Sequence, residues 1–316
     1  MKTVSVVMCT FNGEKYLREQ LDSIVNQTYP IYELIVQDDC STDNTMSIVR
    51  EYASRYPFIK MYTNQSNLGF NRNFQTACMR SSGDFVAISD QDDVWYPERI
   101  EKQVKTIGNH DICFCSHHRS ADWEKRRLVE PQFSFETLVM YGSIAGHTML
   151  LKGDFARNEE MWLNYVFYDW GLTINAQLRN GIVRTDEPLN WHRTHDEETG
   201  RLVHLKYMRR SDNPKRWEPY FYGYSNYRYL QKKENWKRLY SFIYTSTKDK
   251  KKFAIPCKMS YLMLQDDIFS LMKLCYICAK RRHTIYYLNN VHGIMGLIRG
   301  FFYPFIFAYN NTSYDL

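Results

Sequence analysis

The chain carries, at residues 84–95, the sequence Asp84-Phe85-Val86-Ala87-Ile88-Ser89-Asp90-Gln91-Asp92-Asp93-Val94-Trp95. Its apolar first half predicts a buried strand, and three carboxylates follow where that strand ends. Gathering like charges in this way is costly unless a cation lies among them. Oxygen ligands suit Mg²⁺ or Mn²⁺, whose shells phosphates often complete, so the stretch predicts a metal site for a phosphate ester. The alternative is an acidic loop that caps a helix beginning near Pro97.

The composition is that of a globular protein with room for one large α/β domain and an appendage. The 316 residues are 44% hydrophobic and 24% charged, and the aromatic share of 16% is high. Tyr and Trp at this density suggest carbohydrate stacking, an interface or a membrane surface. The eight cysteines are scattered and several lie in apolar runs, which indicates reduced core thiols in a cytosolic protein.

Two further features bear on metal binding and location. Cys275 and Cys278 lack a second cysteine pair and lie in an apolar helical pattern, so packing is favoured over zinc binding. The first seven residues are strand-like and too short for a secretory signal. We therefore expect the catalytic half to face the cytosol.

Strands and helices alternate in the first hundred residues. Predicted strands cover residues 4–9, 32–37, 59–62 and 84–89, with helices between them, which implies a parallel sheet with right-handed crossovers. Ligands of such sheets bind beyond the carboxyl ends of the strands, where polar clusters stand at residues 10–13, 38–41 and 90–93. The chain has no dinucleotide-binding glycine motif and no P-loop, so a nucleotide would be held by carboxylates, a metal and edge contacts.

Five segments in this order resemble the inverting family 2 glycosyltransferases, which have the GT-A fold. They are residues 4–13, 27–30, 36–43, 67–73 and 89–95. The departures are small: Gln37 stands where an apolar residue is common, and Cys40 where glycine is common. The resemblance implies a Rossmann-like, mostly parallel sheet flanked by helices. We expect this catalytic domain at residues 1–205, with a helical, basic and aromatic C-terminal region at residues 206–316.

The resemblance also implies a donor site. Asp38 and Asp39 would read the base and ribose of a nucleotide sugar, because carboxylates accept bonds from ring imides and hydroxyls. Asp90 and Asp92 would form a D-x-D pair that holds Mg²⁺ or Mn²⁺ against the diphosphate. Solvent exposure is the alternative for Arg72. The candidate nucleotide-sugar ligands are Thr10, Phe11, Asn12, Asp38, Asp39, Asn67, Arg72, Asp90 and Gln91.

An inverting transfer also needs a general base for the acceptor hydroxyl. Residues 166–171 resemble the catalytic step of the family, with Tyr168 in the first position, which makes Asp169 the candidate base. A helix N-cap is the alternative for Asp169, and the two roles are compatible.

Residues 189–195 resemble the Y-R-x-H segment of the family, with His192 where tyrosine is usual. His195 would ligate the metal or bind the diphosphate, and Arg193 would assist. A hydrogen-bonded sheet histidine is the favoured reading of His147, and a core position is as plausible for Trp170. The candidates for acceptor or diphosphate contact are Asp93, Trp95, His147, Trp170 and Arg193.

The C-terminal half is basic and aromatic. Its cations include Arg209, Arg210, Lys215, Arg216, Lys232, Lys233, Lys237, Arg238, Lys248, Lys250, Lys251 and Lys252, and they dominate the formal charge of +6. An anionic lipid surface is favoured over a solvated face, and no motif supports nucleic acid.

The tail at residues 291–309 is apolar but contains Arg299, glycines and Pro304. This pattern favours an interfacial helix or a re-entrant hairpin over a spanning helix. The alternative is packing against the catalytic domain or a second subunit, as in a homodimer. We expect a peripheral protein at the inner face of the cell membrane.

The sequence thus predicts a metal-dependent hexosyltransferase that uses a UDP-, GDP- or dTDP-sugar and inverts the anomeric centre. The resemblance implies a glycan or lipid-linked acceptor in bacterial surface polysaccharide assembly, such as lipopolysaccharide or capsule. A sugar-nucleotide nucleotidyltransferase is one alternative, although residues 10–15 are a poor version of its glycine-rich loop. A non-catalytic nucleotide- or glycan-binding module is the other, and the retained Asp90, Asp92 and Asp169 argue against it.

Overall fold

One mixed sheet organises the N-terminal part of the chain. The computed structural model describes residues 1–195, 215, 217–285 and 291–310. The strands in these residues are β1 Val4–Thr10, β2 Glu33–Asp38, β3 Ile59–Thr63, β4 Phe85–Ser89, β5 Val94–Trp95, β6 Ile112–Ser120, β7 Arg127–Val129, β8 Met149–Lys152 and β9 Ile182–Arg193. Their order in the sheet is β3-β2-β1-β4-β8-β6-β9-β5, and β7 pairs with β6.

The sheet is parallel where the sequence predicted βα repeats. Strands β1 to β4 pair in parallel, β8 runs antiparallel to β4 and β6, and β5 runs antiparallel to β9. Val4, Val6, Val7 and Met8 of β1 are fully buried, as expected for a central strand covered on both faces. The predicted first four strands are therefore confirmed.

Helices alternate with these strands along the chain. They are α1 Leu17–Val25, α2 Thr45–Arg55, α3 Phe70–Arg80, α4 Arg99–Thr106, α5 Phe135–Met140, α6 Gly153–Ala156 and α7 Tyr168–Leu178, with short 3-10 turns at Trp123–Lys125, Gly146–Thr148 and Glu159–Met161. Leu17, Leu21 and Ile24 of α1 are fully buried with the apolar residues of β1 and β2. The spacing of these leucines and isoleucine predicted that face from the sequence.

A buried carboxylate joins the amino ends of the parallel strands. Glu33 on β2 accepts hydrogen bonds from Ser5 Oγ at 2.7 Å, Lys60 Nζ at 2.6 Å and the Ser82 N–H at 2.7 Å. Burial alone would raise the pKa of Glu33, but the bonds from Lys60, Ser5 and Ser82 outweigh it and lower that pKa. This end of the sheet therefore serves stability, and the opposite end carries the loops described below.

The chain divides into two units. The first comprises Met1–Glu130, Ile144–Asn164 and Gly171–His195, and the second comprises Pro131–Ser143, Tyr165–Trp170 and the described residues from 215 onward. The boundary predicted at residue 205 lies outside the described residues. Two segments from the predicted catalytic region therefore belong to the second unit.

The second unit is helical, as predicted for the C-terminal region. After α5, its helices are α8 Glu218–Gln231, α9 Glu234–Thr247, α10 Ala254–Leu264, α11 Ile268–Lys280, α12 Arg282–Ile285, α13 Gly293–Phe301 and α14 Tyr303–Asn310, with a 3-10 turn at Lys251–Phe253. Tyr227, Trp236 and Tyr240 are fully buried and meet edge to face, with ring centroids 5.3 and 4.7 Å apart. Much of the aromatic content of this half therefore packs its core.

Cys275 and Cys278 both lie buried on α11 as free thiols. Burial raises the pKa of Cys275 to about 12 and raises that of Cys278 well above its ordinary value, so both thiols stay protonated. The packing role favoured from the sequence is confirmed. Among the described helices, none has the length and apolar character needed to cross a bilayer. Arg209, Arg210 and Arg216 of the basic region lie outside the described residues.

Candidate functional site

The loop after β1 is braced by Gln91. The Phe11 N–H donates to Gln91 Oε1 and Gln91 Nε2 donates to the Phe11 carbonyl, each at 3.0 Å. Gly13 lies against the same amide, since a Cβ there would stand 2.1 Å from Gln91 Oε1. The Phe11 ring is 49% exposed and offers a flat apolar surface. Gln91 was predicted from the sequence to bind the nucleotide sugar. Its side chain is hydrogen-bonded instead to the loop that would present Phe11 to a ligand.

Two residues at this edge have left-handed backbones. Asn12 has φ 48° and Cys40 has φ 69°, a region that costs most side chains about 1 kcal/mol. Asn12 Oδ1 accepts from the Thr42 N–H at 2.8 Å, and the Asn12 N–H donates to Ser41 Oγ at 2.9 Å, so the loops after β1 and β2 are bonded together. Cys40 occupies a position where glycine would adopt the same turn without strain, which explains the glycine usual in the family.

Asp38 and Asp39 are buried and both carboxylates are occupied within the chain. Asp38 accepts from Thr10 Oγ1 at 2.9 Å, from the Ser41 N–H at 3.0 Å and from Ser41 Oγ. Asp39 accepts from Asn64 Nδ2 and the Leu68 N–H at 2.7 Å and from the Gly69 N–H at 2.9 Å. The pair therefore shapes the loops beyond β1, β2 and β3, and its contact with a nucleotide stays a prediction.

Asn67 and Arg72 flank the loop that Asp39 holds. Asn67 Nδ2 donates to the Asp39 carbonyl at 3.1 Å, and Asn67 Oδ1 accepts from the Gly69 N–H at 3.1 Å. Arg72 follows on α3 and is exposed, which is the alternative considered for it. Asn67 therefore acts on the loop backbone, while the guanidinium of Arg72 faces solvent.

The acidic stretch after β4 meets the end of β9. His195 Nε2 lies 2.8 Å from Asp92 Oδ2, and the two side chains are 14% and 19% exposed. Arg193 Nε donates to the Asp92 carbonyl at 3.2 Å, and its guanidinium pairs with Glu19 and lies 4.7 Å from the Tyr16 ring centroid. The structure thus brings Asp92, Arg193 and His195 together, as the resemblance implied.

Glu19 and Tyr16 were not predicted as site residues. Tyr16 lies just before α1 and its ring centroid is 5.1 Å from that of His195, while Glu19 is on α1 itself. A helix periodicity indicates which face is exposed, but it carries no signal that this face meets a strand end more than 170 residues later. Only the folded chain identifies them as the neighbours of Arg193 and His195.

This edge suits a divalent cation. Asp92 and the half-buried Asp90 supply carboxylate oxygens on one loop, and the partly exposed His195 imidazole adds a nitrogen. Carboxylate oxygens are preferred by Mg²⁺ and Mn²⁺, and Mn²⁺ also accepts imidazole nitrogen. The residues present therefore fit the metal that the resemblance implies. The moderate exposure of these side chains would let a ligand share the ion.

Asp93 does not lie at the exposed edge with Asp92. It is fully buried, with Oδ2 lying 2.9 Å from His147 Nδ1 and Oδ1 lying 3.0 Å from His192 Nδ1. Burial opposes ionisation, yet the two imidazoles outweigh it and hold the pKa of Asp93 well below its usual range. The burial of Asp93 and His147 contradicts the expected contact with an acceptor. The hydrogen-bonded, buried role that was favoured for His147 describes it better, although His147 lies in the 3-10 turn before β8 and not on a strand.

The neighbourhood of Asp93 includes two residues without a sequence prediction of their role. Asn190 Nδ2 lies 2.8 Å from His147 Nδ1, and the His117 ring meets His147 edge to face at a centroid distance of 4.9 Å. Burial lowers the pKa of His117 to about 2, so this imidazole is neutral. The sequence signal for His117 was its place in the pattern of apolar residues on β6. Inward-facing positions on a strand recur every second residue, and His117 falls on one of them.

Trp95 is a core residue and cannot serve as an acceptor platform, which corrects a second expectation. Its side chain is 2% exposed, and the fully buried guanidinium of Arg99 lies 3.7 Å from its ring centroid. A cation stacked on an indole face in the core is attracted by the ring quadrupole. Trp95 therefore packs in the core next to the acidic loop at residues 90–93.

Asp169 and Trp170 belong to the second unit, in the first turn of α7. Asp169 is half-buried and its Oδ1 accepts from the Trp170 N–H at 2.7 Å, which fits a carboxylate at a helix start. Trp170 is 1% exposed and its Nε1 donates to the Leu138 carbonyl at 2.6 Å. Trp170 thus takes the core alternative and offers no platform to a sugar, while the role of Asp169 as base stays a prediction.

Comparison with known proteins identifies the family of this chain. The family model described as Glycosyl transferase family 2 matches residues 5–168. The putative glycosyltransferase EpsE of Bacillus subtilis is 39% identical over 108 residues, which are 34% of this chain and 39% of that protein. The UDP-Glc:alpha-D-GlcNAc-diphosphoundecaprenol beta-1,3-glucosyltransferase WfgD of Escherichia coli is 35% identical over 111 residues, 35% of this chain and 43% of that protein. The chain spans less than two-thirds of the length of the curated relatives that it matches first.

A solved structure shares the fold along almost the whole chain. The mannosyltransferase PcManGT of Pyrobaculum calidifontis, solved with GDP-Man and Mn²⁺, aligns with a TM-score of 0.58 at 15% identity. The alignment covers 97% of this chain and 86% of that one. At this identity the likeness concerns the fold.

Proposed function

The chain belongs to glycosyl transferase family 2 and has the GT-A fold, and from this premise we propose that it transfers a sugar from a nucleotide-sugar donor to an acceptor hydroxyl. The observation that carries the proposal is the convergence of Asp92, Arg193 and His195 at the strand ends. The loop of the exposed Phe11 is bonded to Gln91, the residue before Asp92. A carboxylate, a guanidinium and an imidazole together match a diphosphate and its metal.

We propose that the transfer inverts the anomeric centre and that Asp169 is the general base. Asp169 accepts the proton of the acceptor hydroxyl, the hydroxyl oxygen forms a bond to the anomeric carbon, and the bond from that carbon to the diphosphate breaks. The nucleoside diphosphate leaves with the bonding electrons. Arg193 and His195 hold the diphosphate end of the donor. A divalent cation bound by Asp90, Asp92 and His195 would offset the charge on the leaving diphosphate.

The donor and acceptor follow from the relatives and remain part of the proposal. WfgD is named for UDP-Glc and a diphosphoundecaprenol acceptor, and PcManGT was solved with GDP-Man. We infer a UDP-, GDP- or dTDP-hexose as donor and a lipid-linked saccharide of a surface polysaccharide as acceptor.

A lipid-linked acceptor agrees with the surface of the second unit. Phe269 on α11 is 74% exposed, and Ile294 and Met295 on α13 are 78% and 58% exposed. The exposed Lys273 and Lys280 lie on the same α11 helix. Apolar side chains beside cations suit the interface of an anionic bilayer, so we propose peripheral binding there. Sedimentation with vesicles containing anionic lipid, compared with neutral vesicles, tests this, and equal recovery with both would contradict it.

The chemical test is release of nucleoside diphosphate from a panel of UDP-, GDP- and dTDP-sugars with and without Mg²⁺ or Mn²⁺. Transfer releases nucleoside diphosphate, whereas a nucleotidyltransferase forming a nucleotide sugar would release pyrophosphate. The Asp169→Asn variant should lose transfer by about 10²-fold or more while the donor Kd changes little, because the base acts on the acceptor. Asp154→Asn, the same change at an exposed residue, is the control. Retained turnover in Asp169→Asn, or a loss of turnover that follows from a loss of donor binding, would refute the assignment.

The configuration of the product decides the stereochemistry. Proton NMR of a short incubation should show the anomeric signal opposite to that of the donor sugar. A product with retained configuration would remove both the inversion and the single-base mechanism. Turnover that is unaffected by removal of divalent ions would remove the metal.

A further inference from the structure

We propose that Asp93, His147 and His192 form a second, buried metal site that takes a divalent transition ion of the Zn²⁺ class. The site is distinct from the donor edge at Asp90 and Asp92, and it does not depend on the proposed glycosyl transfer. One ligand atom from each of the three residues lies within 4.8 Å of the others.

Three separate parts of the first unit supply these ligands. Asp93 lies between β4 and β5, His147 lies in the 3-10 turn before β8, and His192 is near the end of β9. The side chains of Asp93, His147 and His192 are 0%, 5% and 19% exposed. The two histidine rings stack on each other with centroids 4.5 Å apart and an interplanar angle of 18°, and both turn Nδ1 towards the same carboxylate. The pairing of β8 with β4 and of β5 with β9 is what brings these three side chains to one point.

The hydrogen-bonding around His147 Nδ1 is inconsistent without a cation. This atom lies 2.9 Å from Asp93 Oδ2 and 2.8 Å from Asn190 Nδ2. A ring nitrogen bears either a proton or a lone pair, so it serves the carboxylate or the amide N–H but not both. Turning the amide around places its oxygen 3.2 Å from Asp93 Oδ2, which sets two acceptors against each other. Either way one close contact is repulsive.

A metal ion removes this conflict. With a cation between them, the lone pairs of His147 Nδ1, His192 Nδ1 and the Asp93 carboxylate all point at positive charge. The reversed Asn190 amide would place its oxygen 2.8 Å from His147 Nδ1 and 3.2 Å from Asp93 Oδ2, which makes that oxygen the candidate for a fourth position. His117 packs edge to face against His147, and its buried Nδ1 has no hydrogen-bond partner among the described residues.

The ligand types select the metal. Two imidazoles and one carboxylate, with a fourth position available, match the nitrogen-rich sets that bind Zn²⁺, whereas Mg²⁺ prefers oxygen and keeps several waters. The neighbouring Asp90 and Asp92 are oxygen ligands at a more exposed edge. The chain therefore separates a buried transition-metal position from an exposed one that a donor diphosphate can share. An ion at Asp93 would tie the loop carrying Asp92 to β8 and β9.

The test measures metal in the full chain prepared without a histidine tag. After dialysis against a weak chelator and one addition of Zn²⁺, elemental analysis should find about one Zn²⁺ per chain. Replacing Zn²⁺ by Co²⁺ should give the visible absorption of a tetrahedral nitrogen and oxygen site, which requires no variant. Absence of bound Zn²⁺, together with a thermal midpoint that neither Zn²⁺ nor EDTA moves, would overturn the proposal.

Matched variants locate the ion. His147→Gln and His192→Gln should each lower the Zn²⁺ content at fixed free Zn²⁺ by tenfold or more, whereas His110→Gln, a histidine outside the cluster, should leave it unchanged. Asp92→Asn should also keep its Zn²⁺. Zn²⁺ retained by both histidine variants, or lost from Asp92→Asn as fully as from His147→Gln, would place the ion elsewhere and refute the assignment.

Discussion

Replacing Asp39 by asparagine should destabilise the ligand-free chain, because this buried carboxylate holds the loop between β3 and α3. Its Oδ1 accepts from Asn64 Nδ2 and the Leu68 N–H, both at 2.7 Å, and its Oδ2 accepts from the Gly69 N–H at 2.9 Å. Asparagine keeps one acceptor oxygen and places an N–H group where Oδ2 was. The Gly69 N–H then faces another donor at a site where residue 39 is only 3% exposed.

The cost follows from these three bonds. Leaving the Gly69 N–H without an acceptor costs about 1–3 kcal/mol, and each of the two remaining bonds weakens by about 1 kcal/mol when its acceptor loses the charge. Partial relaxation of the loop offsets some of this, so we expect a loss of about 3 kcal/mol in the free energy of unfolding. An effect of this size is well above the change expected at an exposed position, which is within about 0.5 kcal/mol.

Urea unfolding of the ligand-free protein measures the effect. The Asp39→Asn variant should unfold at a lower urea concentration with an unchanged m value, while Asp186→Asn, the same substitution at an exposed residue of β9, should match the wild type. Donor binding measured on the same samples separates the two roles of Asp39. If Asp39→Asn were as stable as Asp186→Asn and lost only donor binding, the carboxylate would be a ligand group alone and the reasoning would fail.

Substitutions at three other places in the fold test further contacts. Trp170→Phe should lower the free energy of unfolding by about 1–3 kcal/mol, because it removes the hydrogen bond of a buried indole N–H and leaves a cavity. Trp123→Phe, at a 39% exposed position, should have little effect. Equal losses in the two variants would contradict the core assignment of Trp170. Gly13→Ala should displace the Gln91 amide, so Gly13→Ala and Gln91→Ala should each lower the free energy of unfolding by about 1–2 kcal/mol. The double variant should lose no more than one of the single variants does. Full additivity in urea titrations would show that the contact is absent. Because the pKa of Glu33 is lowered in the folded chain, its stabilising effect should be complete above the ordinary carboxyl pKa of 4.5 and be lost as the pH falls below it. In Glu33→Gln the difference from wild type should therefore shrink on acidification, and a difference that grew would refute this sign.

Periodicity predicted the parallel half of the sheet well, because each of its strands is a local apolar run buried on both faces. Val4, Val6, Val7 and Met8 of β1 show this directly. The antiparallel strands were harder to predict. His147, for example, was expected on a strand, but it lies in a 3-10 turn and the strand begins at Met149. Propensity does not determine where a strand begins when pairing with β4 and β6 supplies the hydrogen bonds.

The candidate site was predictable to the level of segments and less so for side chains. The sequence brought Asp92, Arg193 and His195 forward as candidates, and they lie together. It also brought forward Trp95 and Trp170, both of which are buried. An aromatic residue beside a polar motif has the same local pattern whether it faces a ligand or the core, so its environment depends on packing.

The sequence by itself determined the βα order, the loops at the strand ends and the resemblance to the family, because these depend on residues close together in the chain. Only the tertiary structure decided which of the adjacent carboxylates has which environment. Asp92 meets His195 near the surface, while Asp93 is buried between His147 and His192. Asp92 lies in the bend after β4 and Asp93 directly precedes β5, so the turn of the chain gives the two neighbouring side chains different surroundings. The partners of each come from strands far away in sequence, and folding alone brings them into contact.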